Sequence, residues 1–204
     1  MLLLGVGINA QSLHIRDTFK KMPDSIMPYL TENNRLDMLD FFDSKMKAIV
    51  TNTLQGKSCL EALSDSYLRI STDSSALVEM KLLPSSVTLP DTTQYIICLV
   101  HTYGSVCMES DVTFYTSKWR KLPVNFDINS YVGQLFAKPD TMSAAVYDSL
   151  LVYKSDLAVS AALSSTETTL TLKPFVPLID TAEKRKLLPV LCSKTLAWNG
   201  KGFK

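Results

Sequence analysis

The spacing of apolar residues near the start of the chain predicts two helices. A first, short helix is predicted by apolar residues at helical intervals, namely Ile15, Phe19 and Met22. Pro23 ends it, because proline cannot continue a helix. A second helix is expected from residues 31–34 to about residue 49, where an apolar stripe follows one face: Leu36, Leu39, Phe42, Met46 and Val50. Either Thr31 or Asn33 would cap its start.

After residue 57 the pattern changes to strand-like alternation of apolar and polar residues, although residues 58–65 are expected to form a short helix. Two hairpins are predicted: one from residues 67–71 and 76–82, and one from residues 94–100 and 106–114. Residues 142–150 suit either a helix or a strand. Further on, the pattern predicts a hairpin from residues 153–165 and 168–175, a charged helical connector over 181–186, and a last strand over 190–198.

These elements predict an α+β fold, in which an N-terminal helical pair is followed by antiparallel β meanders. The parts are a segment that resembles a signal peptide (1–11), a helical part (12–57), a first β meander (58–125) and a second (126–204). Trp119 and Trp198 each end a strand pair. The two β-rich halves are therefore either a weak internal repeat or alike by chance, and the pattern leaves open whether 58–204 forms one domain with 12–57.

The register of the second hairpin decides whether two cysteines can form a disulfide. With a turn at residues 101–104, Ile97 and Leu99 would pair with Met108 and Val106, which places Cys98 and Cys107 on one shared face. A directly opposite pair could form a bridge, whereas a diagonal pair could not. The four cysteines show no C-x-x-C spacing of a zinc or redox motif.

Composition excludes several classes of protein. The chain has 204 residues, 46% of them hydrophobic, which is ordinary for a globular protein of one or two domains. Its net charge of +1 gives no reason to expect an extended nucleic-acid surface. Beyond residue 11, no apolar run approaches the roughly 20 residues of a membrane-spanning helix.

Residues 1–11 resemble the apolar part of a secretory signal peptide, with a small residue before the polar start of the mature chain. The segment departs from that pattern in one respect, since no Lys or Arg precedes the apolar stretch. Gly5-Val6-Gly7 also fits the glycine-rich turn of dinucleotide-binding proteins. We favour the signal peptide, because only four residues precede the turn and Pro23 and Pro28 interrupt the helix that should follow.

Other matches to known chemistry are weak. Gly56-Lys57-Ser58 ends like a phosphate-binding loop, but Thr51 stands where its first glycine should be, so a helix-entry turn is favoured. Asp37, Asp40 and Asp43 follow one helix face, which is more typical of a solvated surface than of a calcium site. His101 lacks a recognisable nucleophile motif nearby. We therefore expect no catalytic residue, metal site or cofactor.

Aromatic residues are the best candidates for ligand binding. Tyr103, Tyr115, Trp119 and Trp198 fall at strand ends, where their rings could line a groove for a sugar or a peptide. Aromatic residues in strands more often serve the packing of the sheet itself.

Four strings of the sequence are distinctive: residues 30–41, Met22-Pro23-Asp24-Ser25, Gly56-Lys57-Ser58 and Ser117-Lys118-Trp119. Together they resemble one family of exported proteins from Bacteroidales, known as domain of unknown function 3256. The resemblance covers nearly the whole chain after residue 11 and brings no activity or ligand with it. It implies export to a Gram-negative envelope, either to the periplasm or to the outer membrane.

The expected function is therefore a non-catalytic envelope protein that binds a protein, peptide or glycan through a sheet face or an exposed edge. The alternative is a hydrolase whose site is dispersed along the sequence and uses Asp37, Asp40 or His101.

Overall fold

A computed structural model describes residues 13–89, 94–176 and 179–204, which contain four α-helices and nine strands. The helices are α1 (Ile15–Lys20), α2 (Glu32–Asp43), α3 (Ala144–Leu150) and α4 (Thr181–Leu187). The strands are β1 (Ile49–Thr51), β2 (Lys57–Leu63), β3 (Tyr67–Ser71), β4 (Ala76–Pro84), β5 (Tyr95–Tyr103), β6 (Glu109–Tyr115), β7 (Ala158–Leu163), β8 (Thr169–Phe175) and β9 (Lys194–Ala197). Short 3-10 helices cover Ile128–Leu135, Leu151–Asp156 and Leu188–Val190.

The strands form two antiparallel sheets. The larger sheet has the order β1-β2-β3-β4-β5-β6, and the smaller one has the order β7-β8-β9. Every strand pairs with its neighbour in the chain, so both sheets are meanders. The predicted α+β fold, with N-terminal helices followed by antiparallel meanders, is confirmed, and the two β-rich halves differ in size.

The larger sheet lies between two layers and has a separate core on each face. On one face, α1, α2 and the turns around them cover a core that includes Val78, Met80 and Leu82 of β4. On the other face, the smaller sheet packs over Leu83 of β4 and Phe114 of β6. Because successive residues of a strand point to opposite faces, β4 contributes to both cores along its length.

Residues 1–11, and with them the predicted signal peptide and the alternative dinucleotide turn, lie outside the described residues. Within the part that the structure describes, no helix is both long and apolar enough to cross a membrane. Residues 142–150, which suited either a helix or a strand, contain α3, whose start is capped by the Ser143 hydroxyl.

The second helix was predicted with the wrong end and partly the wrong face. It stops at Asp43, and residues 49–51, the end of the predicted helix, form β1 and pair with β2. Met46 of the predicted stripe is 57% exposed, whereas Arg35, Met38 and Leu39 are buried. Thr31 is the cap, and its side chain exchanges hydrogen bonds with Asn34 in a capping box.

Residues 58–65 form no helix, which corrects the prediction for this segment. Residues 58–63 belong to β2, which pairs with β1 on one side and β3 on the other. Burial alternates accordingly, since Ser58 and Leu60 are buried while Glu61 is exposed. Two pairing strands outweigh the local helical preference, because tertiary pairing commonly overrides propensity.

The register of the second hairpin also differs from the prediction and excludes the disulfide. The strand β5 continues to Tyr103, and the turn lies later, with Gly104 at φ +101°. Cys98 therefore lies opposite Phe114, whereas Cys107 lies in the turn that precedes β6. Both cysteines are free. A side chain at Gly104 would meet the carbonyl oxygen of Cys107 at 2.2 Å, which explains the glycine.

Buried Arg35 links the turns of the N-terminal layer by hydrogen bonds. Its side chain is buried, and its guanidinium donates to Asp24 at 2.8 Å and to the carbonyl oxygens of Leu30 and Met22 at 2.7 and 2.5 Å. These bonds satisfy backbone groups of the turns between α1 and α2. A buried cation is tolerated only when it is bonded in this way.

We predict that Arg35→Met lowers the free energy of unfolding by about 3 kcal/mol, because two buried carbonyl groups lose their donors. Chemical denaturation followed by circular dichroism measures this. Arg69→Met is the matched control: Arg69 forms an exposed ion pair with Glu61 at 3.0 Å, and its loss should cost less than about 1 kcal/mol. Equal losses in the two variants would contradict the role given to Arg35.

Candidate functional site

The four aromatic residues predicted to line a groove are not brought together. Trp119 lies in the helix-side core, where its indole Nε1 donates to the carbonyl oxygen of Thr18 at 3.2 Å. Tyr115 packs against it, with ring centroids 5.5 Å apart. Trp119 has a φ of +60°, which is unusual for a bulky residue, and this backbone turn directs its ring under α1.

Trp198 lies in the other core, on the opposite side of the larger sheet. Its ring stacks on Phe114 at 5.7 Å, and its Nε1 donates to the carbonyl oxygen of Pro84 at 2.6 Å. Tyr103, in contrast, is 48% exposed at the end of β5. Tyr103 lines a cleft at this end of the strand.

We call this cleft the β6 cleft. It has a volume of about 620 Å³ and lies beside the outer strand of the larger sheet. Three segments form its walls: the end of the β5–β6 hairpin, the loop that precedes the first 3-10 helix, and the start of β7. The lining residues are Tyr103, Gly104, Cys107, Glu109, Ser110, Asp111, Val112, Phe126, Asp127, Ile128, Asn129, Leu157 and Val159.

Part of the β6 backbone faces this cleft. Further along the strand, the carbonyl of Phe114 accepts from Leu122 N, on the side away from β5. Backbone groups of alternate residues point the same way in a strand, so those of Val112 and Ser110 also point away from β5. A loop therefore covers the second half of the β6 edge, while the first half opens on the cleft.

The edge of β7 approaches the same cleft from the smaller sheet. Two N–H groups of β7 that point away from β8 donate to side chains of the larger sheet. Leu163 N donates to Glu79 Oε2 at 3.2 Å, and Ala161 N donates to Ser110 Oγ at 2.9 Å. By the same alternation, the next outward N–H belongs to Val159, which lines the cleft. Two strand edges from different sheets thus meet at one site.

The cleft is acidic. Three acidic residues, Glu109, Asp111 and Asp127, are among its lining residues, and no Lys, Arg or His is among those described. The Asp127 carboxylate accepts from the backbone N of Asn129 at 2.9 Å, which fixes its orientation. No group of three metal-binding side chains occurs in the described part of the chain, so these carboxylates are spread along the cleft. Their arrangement favours a cationic ligand that is itself extended.

The residues proposed for a hydrolase do not converge. Asp37 and Asp40 are exposed on α2. His101 lies on β5, with its Nδ1 hydrogen-bonded to the Tyr103 hydroxyl at 3.1 Å. Burial lowers the pKa of His101, and the nearby Asp111 offsets part of that shift. Asp111, which lies opposite His101 on β6, is its acidic neighbour.

The other sequence candidates have structural roles. Asp43 forms a bidentate ion pair with Arg16, with both contacts at 2.6 Å. Gly56 lies in the turn between β1 and β2, and Lys57 and Ser58 begin β2, so this segment is not a helix entry. Ser58 is buried and donates to the carbonyl oxygen of Thr72 at 2.9 Å, so its hydroxyl is already used.

Sequence reasoning missed a buried polar cluster between the sheets. Tyr67 and Glu79 are nearly inaccessible, and the Tyr67 hydroxyl donates to Glu79 Oε1 at 2.5 Å. Lys81 is also buried; its Nζ donates to the carbonyl oxygen of Ser164 at 2.7 Å and lies 5.7 Å from the centre of the Tyr67 ring. Glu79 and Lys81 occupy the polar positions of an alternating strand, a pattern that ordinarily indicates a solvent-facing side.

Burial shifts the ionisation of this cluster. It raises the pKa of the Glu79 carboxyl, although hydrogen bonds from Tyr67 and Leu163 oppose the shift. It also raises the pKa of Tyr67 and lowers the pKa of Lys81. Because Glu79 and Lys81 bind Leu163 and Ser164, the cluster holds the β7–β8 hairpin on the larger sheet.

Together these features define an α+β protein in which a six-stranded and a three-stranded antiparallel meander share a core beside an acidic edge cleft. The chain belongs to the family described as Protein of unknown function (DUF3256), whose model matches residues 6–203. The resemblance identified from the sequence strings is therefore confirmed.

The chain is also similar to a solved structure described as a domain of an uncharacterized protein from Porphyromonas gingivalis W83. The two share 22% sequence identity and a TM-score of 0.71, over 93% of this chain and 96% of that chain. At this identity the likeness shows the fold alone. Comparison with curated proteins gives no match.

We predict that the stability difference between the wild type and Glu79→Gln changes with pH. A carboxyl whose pKa is raised on folding contributes stability at pH values below its pKa in the unfolded state. It loses that contribution as the pH rises through its pKa in the folded state. The free energy of unfolding of the wild type, minus that of the variant, should therefore fall as the pH rises from about 4.5 to 7. Urea titrations at several pH values measure it. A flat profile for Glu79→Gln would contradict the assignment.

Proposed function

We propose that this protein is an exported, non-catalytic binding module of the cell envelope. Its ligand is an extended peptide segment of a partner protein, rich in Lys or Arg, which binds in the β6 cleft by adding a strand to the sheet edge. The observation that carries the proposal is the meeting of two strand edges, β6 and β7, along an acidic cleft of about 620 Å³.

The backbone of the cleft offers the hydrogen bonds that strand addition needs. Ser110 and Val112 direct their N–H and C=O groups away from β5, and Val159 directs its N–H from the opposite wall. An extended peptide can pair with either edge, and main-chain bonds of this kind supply affinity with little dependence on sequence. Only the first half of β6 is open, so the paired stretch is about four residues long.

The charges of the cleft select the side chains of the peptide. Side chains of a bound strand alternate between two faces, so every second residue can lie beside Glu109 and Asp111, which share one face of β6, with Asp127 as a further acidic residue of the cleft lining. Each exposed ion pair contributes only about 0.2–1 kcal/mol. Charge would therefore act mainly on specificity and association rate, and its effect should weaken as salt is added.

A peptide suits the cleft better than a glycan or a hydrolysed substrate. Sugar recognition uses exposed aromatic faces, and Trp119 and Trp198 are buried in the two cores. Hydrolysis needs a nucleophile next to its base. His101 Nδ1 is hydrogen-bonded to the Tyr103 hydroxyl and not to a nucleophile. Asp37 and Asp40 lie elsewhere, on the exposed face of α2.

The proposed location in the envelope rests on the sequence. The apolar stretch over residues 1–11, which ends in a small residue before polar residues, supports export. The four free cysteines are neutral with respect to compartment, since an oxidising environment permits disulfides without requiring them.

We predict that an eight-residue peptide of alternating Lys and Thr binds in the β6 cleft, whereas the corresponding peptide of alternating Glu and Thr does not. The variant Val112→Pro should bind the Lys–Thr peptide at least tenfold more weakly than the wild type. Proline removes the outward N–H of Val112 but costs no bond to β5, because that N–H points away from the ladder. Fluorescence anisotropy with labelled peptides measures the affinities. Val112→Ala, which keeps the N–H, is the matched control and should change the affinity less than about twofold.

A second pair of variants separates the backbone from the charges. Asp111→Asn combined with Asp127→Asn should weaken Lys–Thr binding about threefold or more and reduce its dependence on salt, while circular dichroism reports an unchanged fold. Equal binding of the Lys and Glu peptides, or equal affinities of the Pro and Ala variants, would refute strand addition in this cleft. Capture of a glycan in place of a peptide would refute the choice of ligand.

Export predicts a shortened chain in envelope fractions. Mass spectrometry of the native protein should find a mature N-terminus near residue 11, in the periplasmic or membrane fraction. Recovery of a chain that retains residues 1–11 from the cytosolic fraction would refute the proposed location and leave the peptide-binding proposal to its own test.

A further inference from the structure

A second concave surface, which we call the lysine groove, shares no lining residue with the β6 cleft. It has a volume of about 370 Å³ and lies between the end of β8, the segment that follows α4, and the β5–β6 turn. Its lining residues are Val106, Lys173, Pro174, Phe175, Val176, Lys184, Leu188, Leu191, Cys192 and Ser193.

The floor and sides of the groove are mainly apolar, and part of that surface is left in water. Val106 is 69% exposed and Leu188 is 51% exposed, although they come from segments far apart in the chain. Phe175 and Leu191 lie beside them and are only half-buried. Single exposed apolar residues are normal, whereas several that converge on one concave surface are typical of a binding site.

Two cations accompany this apolar surface. Lys173 places its Nζ 5.4 Å from the centre of the Phe175 ring, which keeps the ammonium close to the groove. Lys184 lines the groove from α4. No acidic side chain is among the described lining residues. Next to Lys184 in the chain, Glu183 is already bonded to Lys186 at 2.6 Å and to the Tyr153 hydroxyl at 3.3 Å.

We propose that the lysine groove binds a single-chain fatty carboxylate. The acyl chain would lie on Val106, Phe175 and Leu188, which removes apolar surface from water. The carboxylate would lie between the ammonium groups of Lys173 and Lys184. Only a ligand with one apolar end and one anionic end uses both properties of the groove, and its volume is within the range of small-molecule sites.

Titration calorimetry with decanoate below its micellar concentration tests the proposal. Decanoate should bind more tightly than octanoate, by about fourfold for each additional methylene that is buried. Decanol and decyltrimethylammonium, which match the chain but lack the negative charge, should bind at least threefold more weakly than decanoate. Circular dichroism at the highest ligand concentration must show an intact fold, so that detergent-like unfolding is distinguished from binding.

Matched variants locate the site. Leu188→Ser should weaken decanoate binding about tenfold, and Lys184→Gln about threefold, because the two groups contact opposite ends of the ligand. The controls are Val152→Ser, another strongly exposed apolar residue, and Lys186→Gln on the same helix; both lie outside the groove and should leave the affinity unchanged.

The proposal is overturned if decanoate does not bind, or if decanol or decyltrimethylammonium binds as tightly as decanoate. It is also overturned if the control variants lose as much affinity for decanoate as the groove variants. Val112→Pro in the β6 cleft should not affect decanoate binding, since the two sites share no residue.

Discussion

The burial of β4 between two layers is the constraint on which the rest of the structure depends. One set of its alternate side chains enters the core under the helices, and the other set enters the core between the sheets. Positions that are polar in the sequence, Glu79 and Lys81, are therefore taken out of water. Such groups can be buried only with hydrogen-bond partners, and they find them on Tyr67, Leu163 and Ser164.

These hydrogen bonds also place the edge of the smaller sheet. Strand edges carry unpaired backbone groups, and proteins usually cover them. Here β7 directs its outward N–H groups at Glu79 and Ser110, so side chains of the larger sheet cover most of that edge. The next outward N–H along β7 belongs to Val159, which lines the β6 cleft. The side chains that cover the rest of the β7 edge thus leave this part of it to the proposed binding site.

The β5–β6 turn separates two surfaces of opposite charge. On one side, Glu109, Asp111 and Asp127 make the β6 cleft acidic. On the other side, Lys173 and Lys184 border a more apolar groove. The net charge of the whole chain is only +1, so this separation does not appear in the composition. It arises because residues distant in sequence are brought to the same turn.

The sequence by itself determined the fold class, most of the strands and helices, and the family, because these follow from local periodicity, capping and distinctive strings. Thr31 as a cap and the β3–β4 hairpin are examples. The tertiary structure alone decided the strand identity of residues 57–63 and the register that separates Cys98 from Cys107. It also decided the burial of Trp119, Trp198 and Glu79, and the meeting of β6 with β7 at the cleft. Each of these depends on which layer covers a face or an edge of a strand. The alternation of apolar and polar residues in a strand does not show this, because it is the same whether the second face meets water or another sheet.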